Sequence, residues 1–116
     1  MYRIFTLLVL LTFNQKLFAQ GLNCTQASNL GYTERLSDVW GYEHSSGTEY
    51  ALVGVYDGVS IVSLANPNAA AQVQFIAGAS TVWRDLKTWN NHMYVCSEVV
   101  NEGILIADLS SLPNNV

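Results

Sequence analysis

Two stretches of the chain repeat one another: Gly58-Val59-Ser60-Ile61-Val62-Ser63-Leu64 returns as Gly103-Ile104-Leu105-Ile106-Ala107-Asp108-Leu109. Upstream of each lies a second match, Asp38-Val39-Trp40-Gly41-Tyr42 against Asp85-Leu86-Lys87-Thr88-Trp89. The glycines are 45 positions apart (103 − 58) and the aspartates 47 (85 − 38). A near-constant offset of this size, in segments rich in β-branched and aromatic residues, is the period of a strand-built repeat, and propeller blades have that length. One such unit cannot bury both of its faces alone. The repeat therefore predicts an all-β fold of β-propeller blades, four-stranded and antiparallel, with one full blade over about 36–80 and most of a second over about 83–116.

The strand pattern supports this division. Asp38 to Tyr42 predicts a short first strand, and the polar stretch from Glu43 to Glu49, with Ser46-Gly47, predicts a turn. Tyr50 to Tyr56 is continuously apolar and reads as a strand buried on both faces. Asp57-Gly58 is a strong hairpin signal and predicts a type I′ turn, with the glycine supplying positive φ. Val59 to Leu64 is the return strand, Asn66-Pro67-Asn68 breaks it, and Val73 to Ile76 is an outer strand with Gln72 and Gln74 both pointing outward. In the second unit, Arg84 to Trp89, Met93 to Glu98 and Ile104 to Leu109 are the strands. Asn90-Asn91 joins the first two of these as a tight left-handed turn. The segment from Leu112 to Val116 matches Ala65 to Asn68, so a fourth strand is expected beyond it, and the chain reads as the N-terminal piece of a longer propeller. Residues 21–116 alone are then expected to aggregate or to remain largely unfolded, because open blade faces invite association.

The N-terminus has another purpose. Met1-Tyr2-Arg3 is basic, Ile4 to Phe13 is apolar apart from Thr6 and Thr12, and Leu17-Phe18-Ala19-Gln20 places a small residue at the cut. This is the order of a secretory signal peptide over residues 1–20. The apolar run is too short for a transmembrane segment, which needs about 20 such residues. Residues 21–35 form a tail or lead-in strand. Beyond residue 20 the basic residues are Arg35, Arg84 and Lys87, three against all nine acids of the chain, a net of −6 (3 − 9). That balance disfavours nucleic acid and anionic lipid as partners. It suits a soluble exported protein at the cell surface, in the extracellular space, or at the periplasmic or outer-membrane face.

Cys24 and Cys96 fit an oxidising compartment. Cys96 falls mid-strand at the position of Gly54 and reads first as a buried free thiol, second as the partner of Cys24 in a disulfide.

The order Ser37-Asp38-Val39-Trp40-Gly41, Glu49-Tyr50-Ala51-Leu52-Val53-Gly54, Gly58-Val59-Ser60-Ile61-Val62 and Trp83-Arg84-Asp85-Leu86-Lys87 resembles the choice-of-anchor B family of secreted bacterial proteins. The likeness spans about residues 22–114. It implies LVIVD-type repeats, a propeller fold and export, with no established chemistry.

Catalytic signatures are not apparent: Gly58-Val59-Ser60-Ile61-Val62 lacks the second glycine of a nucleophile elbow, and no zinc-protease, Cys-x-x-Cys or phosphate-loop pattern occurs. His44 and His92 fall in corresponding turns, as solvated loop residues or as a paired metal site. Asp38 and Asp85 each open the innermost strand of a unit and would stand together at a channel mouth. There they could contribute to a Ca²⁺ site, which takes six to eight oxygens, or bind a sugar or a cation. Alternatively each accepts hydrogen bonds at its own strand start. Trp83-Arg84-Asp85-x-Lys87 reads either as a binding rim, with Trp83 as a stacking platform and Arg84 fixing an anion or glycan, or as an ion pair in which Arg84 bridges blades to an acid such as Asp38. Trp40 joins this group by position; Trp40, Trp89, Tyr42, Tyr50 and Tyr94 are expected to pack between blades. The resulting expectation is a non-catalytic module binding an extracellular protein or carbohydrate, with no cofactor other than Ca²⁺. A metal-dependent propeller hydrolase, with Asp38 and Asp85 among its ligands and the rest on further blades, is the alternative.

Overall fold

A computed structural model describes residues 23–116. The expected signal segment, residues 1–20, lies outside the described residues. The fold is all-β: an antiparallel sheet of four strands, β1 (Leu36–Glu43), β2 (Glu49–Val55), β3 (Gly58–Ser63) and β4 (Ala71–Ala77), followed by one of three, β5 (Arg84–Trp89), β6 (His92–Ser97) and β7 (Ile104–Asp108). Within each sheet the strands follow chain order. Among the described residues there is no α-helix, only a 3-10 turn at Pro67–Ala69 capped by the Asn66 side chain, and no helix long and apolar enough to cross a membrane.

The sheets pack face to face. The first contributes Tyr50, Leu52, Val59 and Ile61, the second Leu86, Met93, Val95, Ala107 and Leu109, and together these form one buried cluster. Alternation along β2 sends Val53 and Val55 to the opposite face, where with Val62 they form a smaller cluster. Leu30 and Tyr32 of the lead-in pack against it. The double-sided burial expected of Tyr50 to Tyr56 holds as far as Val55, each face covered by a different part of the chain, and fails at Tyr56, which lies in the turn and is exposed. Strands β1 and β5 run beside each other, and at Gly54 a Cβ would come within 3.2 Å of the Arg84 carbonyl oxygen and of Leu86 Cδ1.

Asn90 and Asn91 carry φ of 48° and 60°, the left-handed pair expected between β5 and β6. The β2–β3 hairpin differs. Its two loop residues are Tyr56 and Asp57, closed by the Val55–Gly58 pair, and none of Tyr56, Asp57 and Gly58 has positive φ. Their carbonyls are engaged from outside: Gly78 N donates to Asp57 O and Thr81 N to Tyr56 O, both at 2.8 Å. Gly58 is needed for a close approach instead, because a Cβ there would lie 2.2 Å from the Ile76 carbonyl oxygen.

The paired outward glutamines are also corrected. A bulge in β4 sets Ile61 opposite Gln74 and Val62 opposite Gln72. The two side chains consequently leave on different faces: Gln72 accepts from Ser60 Oγ at 2.7 Å, whereas Gln74 donates to Pro113 O at 3.1 Å. Cys96 is exposed rather than buried, because the face of the second sheet that carries it is uncovered, and Cys24 is free and exposed as well. No disulfide joins them: the lead-in packs on the first sheet and Cys96 belongs to the second. Trp89 of the same uncovered face is exposed too, while Tyr42 and Tyr50 are buried as expected.

Candidate functional site

The starts of β1 and β5 flank an open cleft of about 340 Å³, lined by Leu36, Ser37, Asp38, Val82, Trp83, Arg84 and Asp85. Four of the six candidate residues thus meet in one place, and Trp40 and Lys87 adjoin them.

Asp38 is directed there by an irregularity. Leu36 pairs with Val55 and Val39 with Val53, so β1 carries one extra residue between them, and a bulge of this kind re-aims a side chain. Asp38 Oδ1 accepts from its own Val39 amide at 2.9 Å, and Oδ2 accepts from the Leu86 amide of the second sheet at 3.0 Å. Lys87 Nζ lies 3.7 Å from Oδ2. The Leu86 amide above all, then the Val39 amide and the Lys87 charge, hold the Asp38 carboxyl below its ordinary pKa. Lys87 also sits over the Trp40 ring, 4.1 Å from its centroid, and Trp40 Nε1 donates to Thr88 Oγ1 at 3.0 Å. With Ser37 Oγ donating to Arg84 O at 3.1 Å and Tyr42 Oη to Asn91 Oδ1 at 3.2 Å, these contacts tie β1 to the second sheet along its length. Asp38, Trp40 and Lys87 therefore act chiefly as a latch between sheets.

Arg84 is neither a rim residue nor a partner of Asp38. It is only 3% exposed, its Nη1 lies 3.6 Å from Glu102 Oε1, and Nη2 donates to the Ala79 carbonyl. The guanidinium rests on Gly78, where a Cβ would be 2.9 Å from Nη1. Glu102 in turn accepts from Ser97 Oγ and from the Ala79 amide, and these bonds, with Arg84, draw its pKa down. The repeat offered no sign of Glu102. It lies in the long β6–β7 loop, and the matching β2–β3 loop has only two residues. The one available signal was that this loop carries two acids, Glu98 and Glu102, near a lone arginine.

Two cleft residues remain available to a ligand. Trp83 is 67% exposed, its backbone amide donating to Thr81 Oγ1 at 3.0 Å, a hydroxyl that in turn donates to Glu98 Oε1 at 2.9 Å. Asp85 is exposed, and its carboxylate has no hydrogen bond or ion pair among the described residues. A flat aromatic surface beside an uncommitted acceptor can stack on the apolar face of a sugar ring while receiving its hydroxyls, or can hold a cationic group.

Both histidines are engaged by neighbouring groups, His44 partly across to the segment after β7. His44 Nδ1 lies 2.8 Å from Ser46 Oγ and Nε2 3.1 Å from Ser110 O, while His92 Nδ1 lies 2.8 Å from Asn90 O. No group of three or more His, Cys, Asp or Glu side chains is placed to hold a metal ion among the described residues. Comparison of the chain with family models, curated proteins and solved structures finds no match.

Proposed function

We propose that the two sheets are consecutive blades of an exported, cell-surface β-propeller protein of the choice-of-anchor B type, and that it works as a non-catalytic binding module. Further blades complete the propeller, and the cleft at the starts of β1 and β5 takes an extracellular carbohydrate. The observation that carries this reading is the pairing of exposed Trp83 with uncommitted Asp85 in one open cleft. Asp38 favours binding over chemistry, since both its oxygens are occupied by backbone amides. The acidic balance favours a neutral glycan over an anionic one.

Titration calorimetry with neutral oligosaccharides (maltopentaose, cellopentaose and chitopentaose) tests the proposal. Binding of one of them is expected, weakened about tenfold or more by Trp83→Ala and by Asp85→Ala, as loss of about 1.4 kcal/mol of contact requires. If no glycan binds and Ca²⁺ alone gives heat that Asp85→Ala abolishes, the second reading stands in its place: a Ca²⁺-dependent propeller hydrolase with Asp38 and Asp85 among its ligands.

A further inference from the structure

We propose that Thr81 and Glu98 are positioning residues of the ligand cleft: through them the β6–β7 loop holds Trp83 in the direction from which it meets a sugar ring. Their part in sugar binding rests on the carbohydrate reading of that cleft; their hold on Trp83 stands apart from it.

Trp83 is a large exposed side chain on the connector between β4 and β5, where an unanchored residue would be mobile. Its neighbours on both sides are held. Thr81, two residues before it, is only 5% exposed. The Thr81 amide donates to Tyr56 O at 2.8 Å, and its hydroxyl donates to Glu98 Oε1 at 2.9 Å while accepting from the Trp83 amide at 3.0 Å. One hydroxyl thus donates and accepts at once, which an apolar side chain of the same shape cannot do. On the other side, buried Arg84 donates through Nη2 to Ala79 O and faces Glu102, whose Oε1 accepts from the Ala79 amide at 2.7 Å. The direction in which Trp83 leaves the backbone is therefore set from both sides, and both acids come from the one loop between β6 and β7.

The repeat separates this clamp from the needs of the fold. At the same offset as the aspartates, Leu36 stands where Trp83 does, Glu34 where Thr81 does and Ser37 where Arg84 does. The start of β1 is held to its own two-residue hairpin by backbone, the Tyr56 amide donating to Arg35 O at 2.9 Å. The second sheet instead carries a longer loop with two acids, at the place where it displays a tryptophan. The exposure also belongs to the position. Leu36 has the second sheet beside it and is still 51% exposed, so a further blade beside the second sheet leaves Trp83 open in the same way. A side chain ordered before the ligand arrives does not have to be ordered by it, so Thr81 and Glu98 strengthen binding without touching the sugar.

The test is fluorine NMR of the full exported chain labelled with 5-fluorotryptophan, alongside titrations with maltopentaose, cellopentaose and chitopentaose. The Trp83 resonance is the one that vanishes in Trp83→Phe. Thr81→Val keeps the shape and removes the hydroxyl. It is expected to narrow and shift that resonance and to leave the other tryptophan resonances in place. It should also weaken sugar binding about threefold to tenfold, the gain from ordering one such side chain in advance. Thr81→Ser, which returns the hydroxyl, should restore both the resonance and the binding. Glu98→Ala, at an exposed position, should move the Trp83 resonance in the same direction, and it decides the matter if Thr81→Val does not fold. An unmoved Trp83 resonance, with binding lost only as far as the thermal midpoint falls, would overturn the positioning role and leave the carbohydrate reading intact. A moved resonance with undiminished binding would overturn it as well. If the parent chain binds none of the three sugars, the carbohydrate reading fails and the resonance alone decides: moved in Thr81→Val and Glu98→Ala, it upholds the hold on Trp83; unmoved, it overturns it.

Discussion

At Gly58 the backbone is ordinary and the space is not. The Asp-Gly pair promised a turn that needs positive φ, yet the residue opens β3 with φ outside that region. What demands glycine is β4, whose Ile76 carbonyl oxygen would sit 2.2 Å from a Cβ. Gly58→Ala is therefore expected to push β3 and β4 apart and to cost about 1–3 kcal/mol, the usual range for overpacking. Gly41 supplies the control. It is also in a strand, but nothing lies within 4 Å of a Cβ there, so Gly41→Ala should leave the thermal midpoint nearly unchanged. Paired thermal melts of the two variants decide; an equal shift in both would return Gly58 to a purely conformational role. The turn signal misled because dipeptide preferences are local, whereas the constraint on Gly58 comes from a strand thirteen and more residues further on.

Between elements, β1 and β5 are joined by charge as well as by packing. Asp38 and Glu102 both have their pKa lowered in the folded state, the first by the Leu86 amide and the second by the Ser97 hydroxyl. A carboxylate whose folded pKa lies below its unfolded value binds fewer protons when folded. Its stabilising contribution is complete above the ordinary values of 3.8 and 4.5 and is lost as the pH falls through the lowered ones. The urea midpoint is thus expected to hold steady from pH 7 to about pH 5 and to fall steadily below pH 4. Asp38→Asn should shrink the acid-side drop while lowering the midpoint at pH 7; an unchanged pH profile in that variant would deny the latch its electrostatic part. The strands that form this latch were readable from the sequence, since β5 was expected over the residues it occupies and the Asn90-Asn91 turn has its left-handed pair. Aspartates at matched positions were also readable. The bulge that turns Asp38 across to Leu86 was not, nor was Glu102, because the first depends on register between strands and the second on a loop without a counterpart in the repeat.

For the molecule as a whole, the decisive feature is that the two sheets share their core. Leu52 and Ile61 from one side and Leu86, Met93 and Leu109 from the other are fully buried in a single cluster, while the first sheet's other face holds only three buried valines. Neither sheet retains enough covered apolar surface to stand without its neighbour. Within the folded protein the two described sheets should therefore unfold as one unit, whereas residues 21–116 on their own are expected to aggregate or to stay unfolded. Leu86→Ala tests this at the centre. Removing a fully buried leucine costs about 2–5 kcal/mol, and here the loss falls on both sheets at once. In urea, far-ultraviolet circular dichroism, which averages over all strands, and tryptophan fluorescence, which reports Trp40 of the first sheet and Trp83 and Trp89 at the second, should give coincident transitions in the parent chain. The same coincidence should appear in Leu86→Ala at a lower midpoint. If fluorescence and dichroism separate in Leu86→Ala, with one sheet persisting, the sheets are independently stable units and the shared cluster is a docking surface rather than a common core.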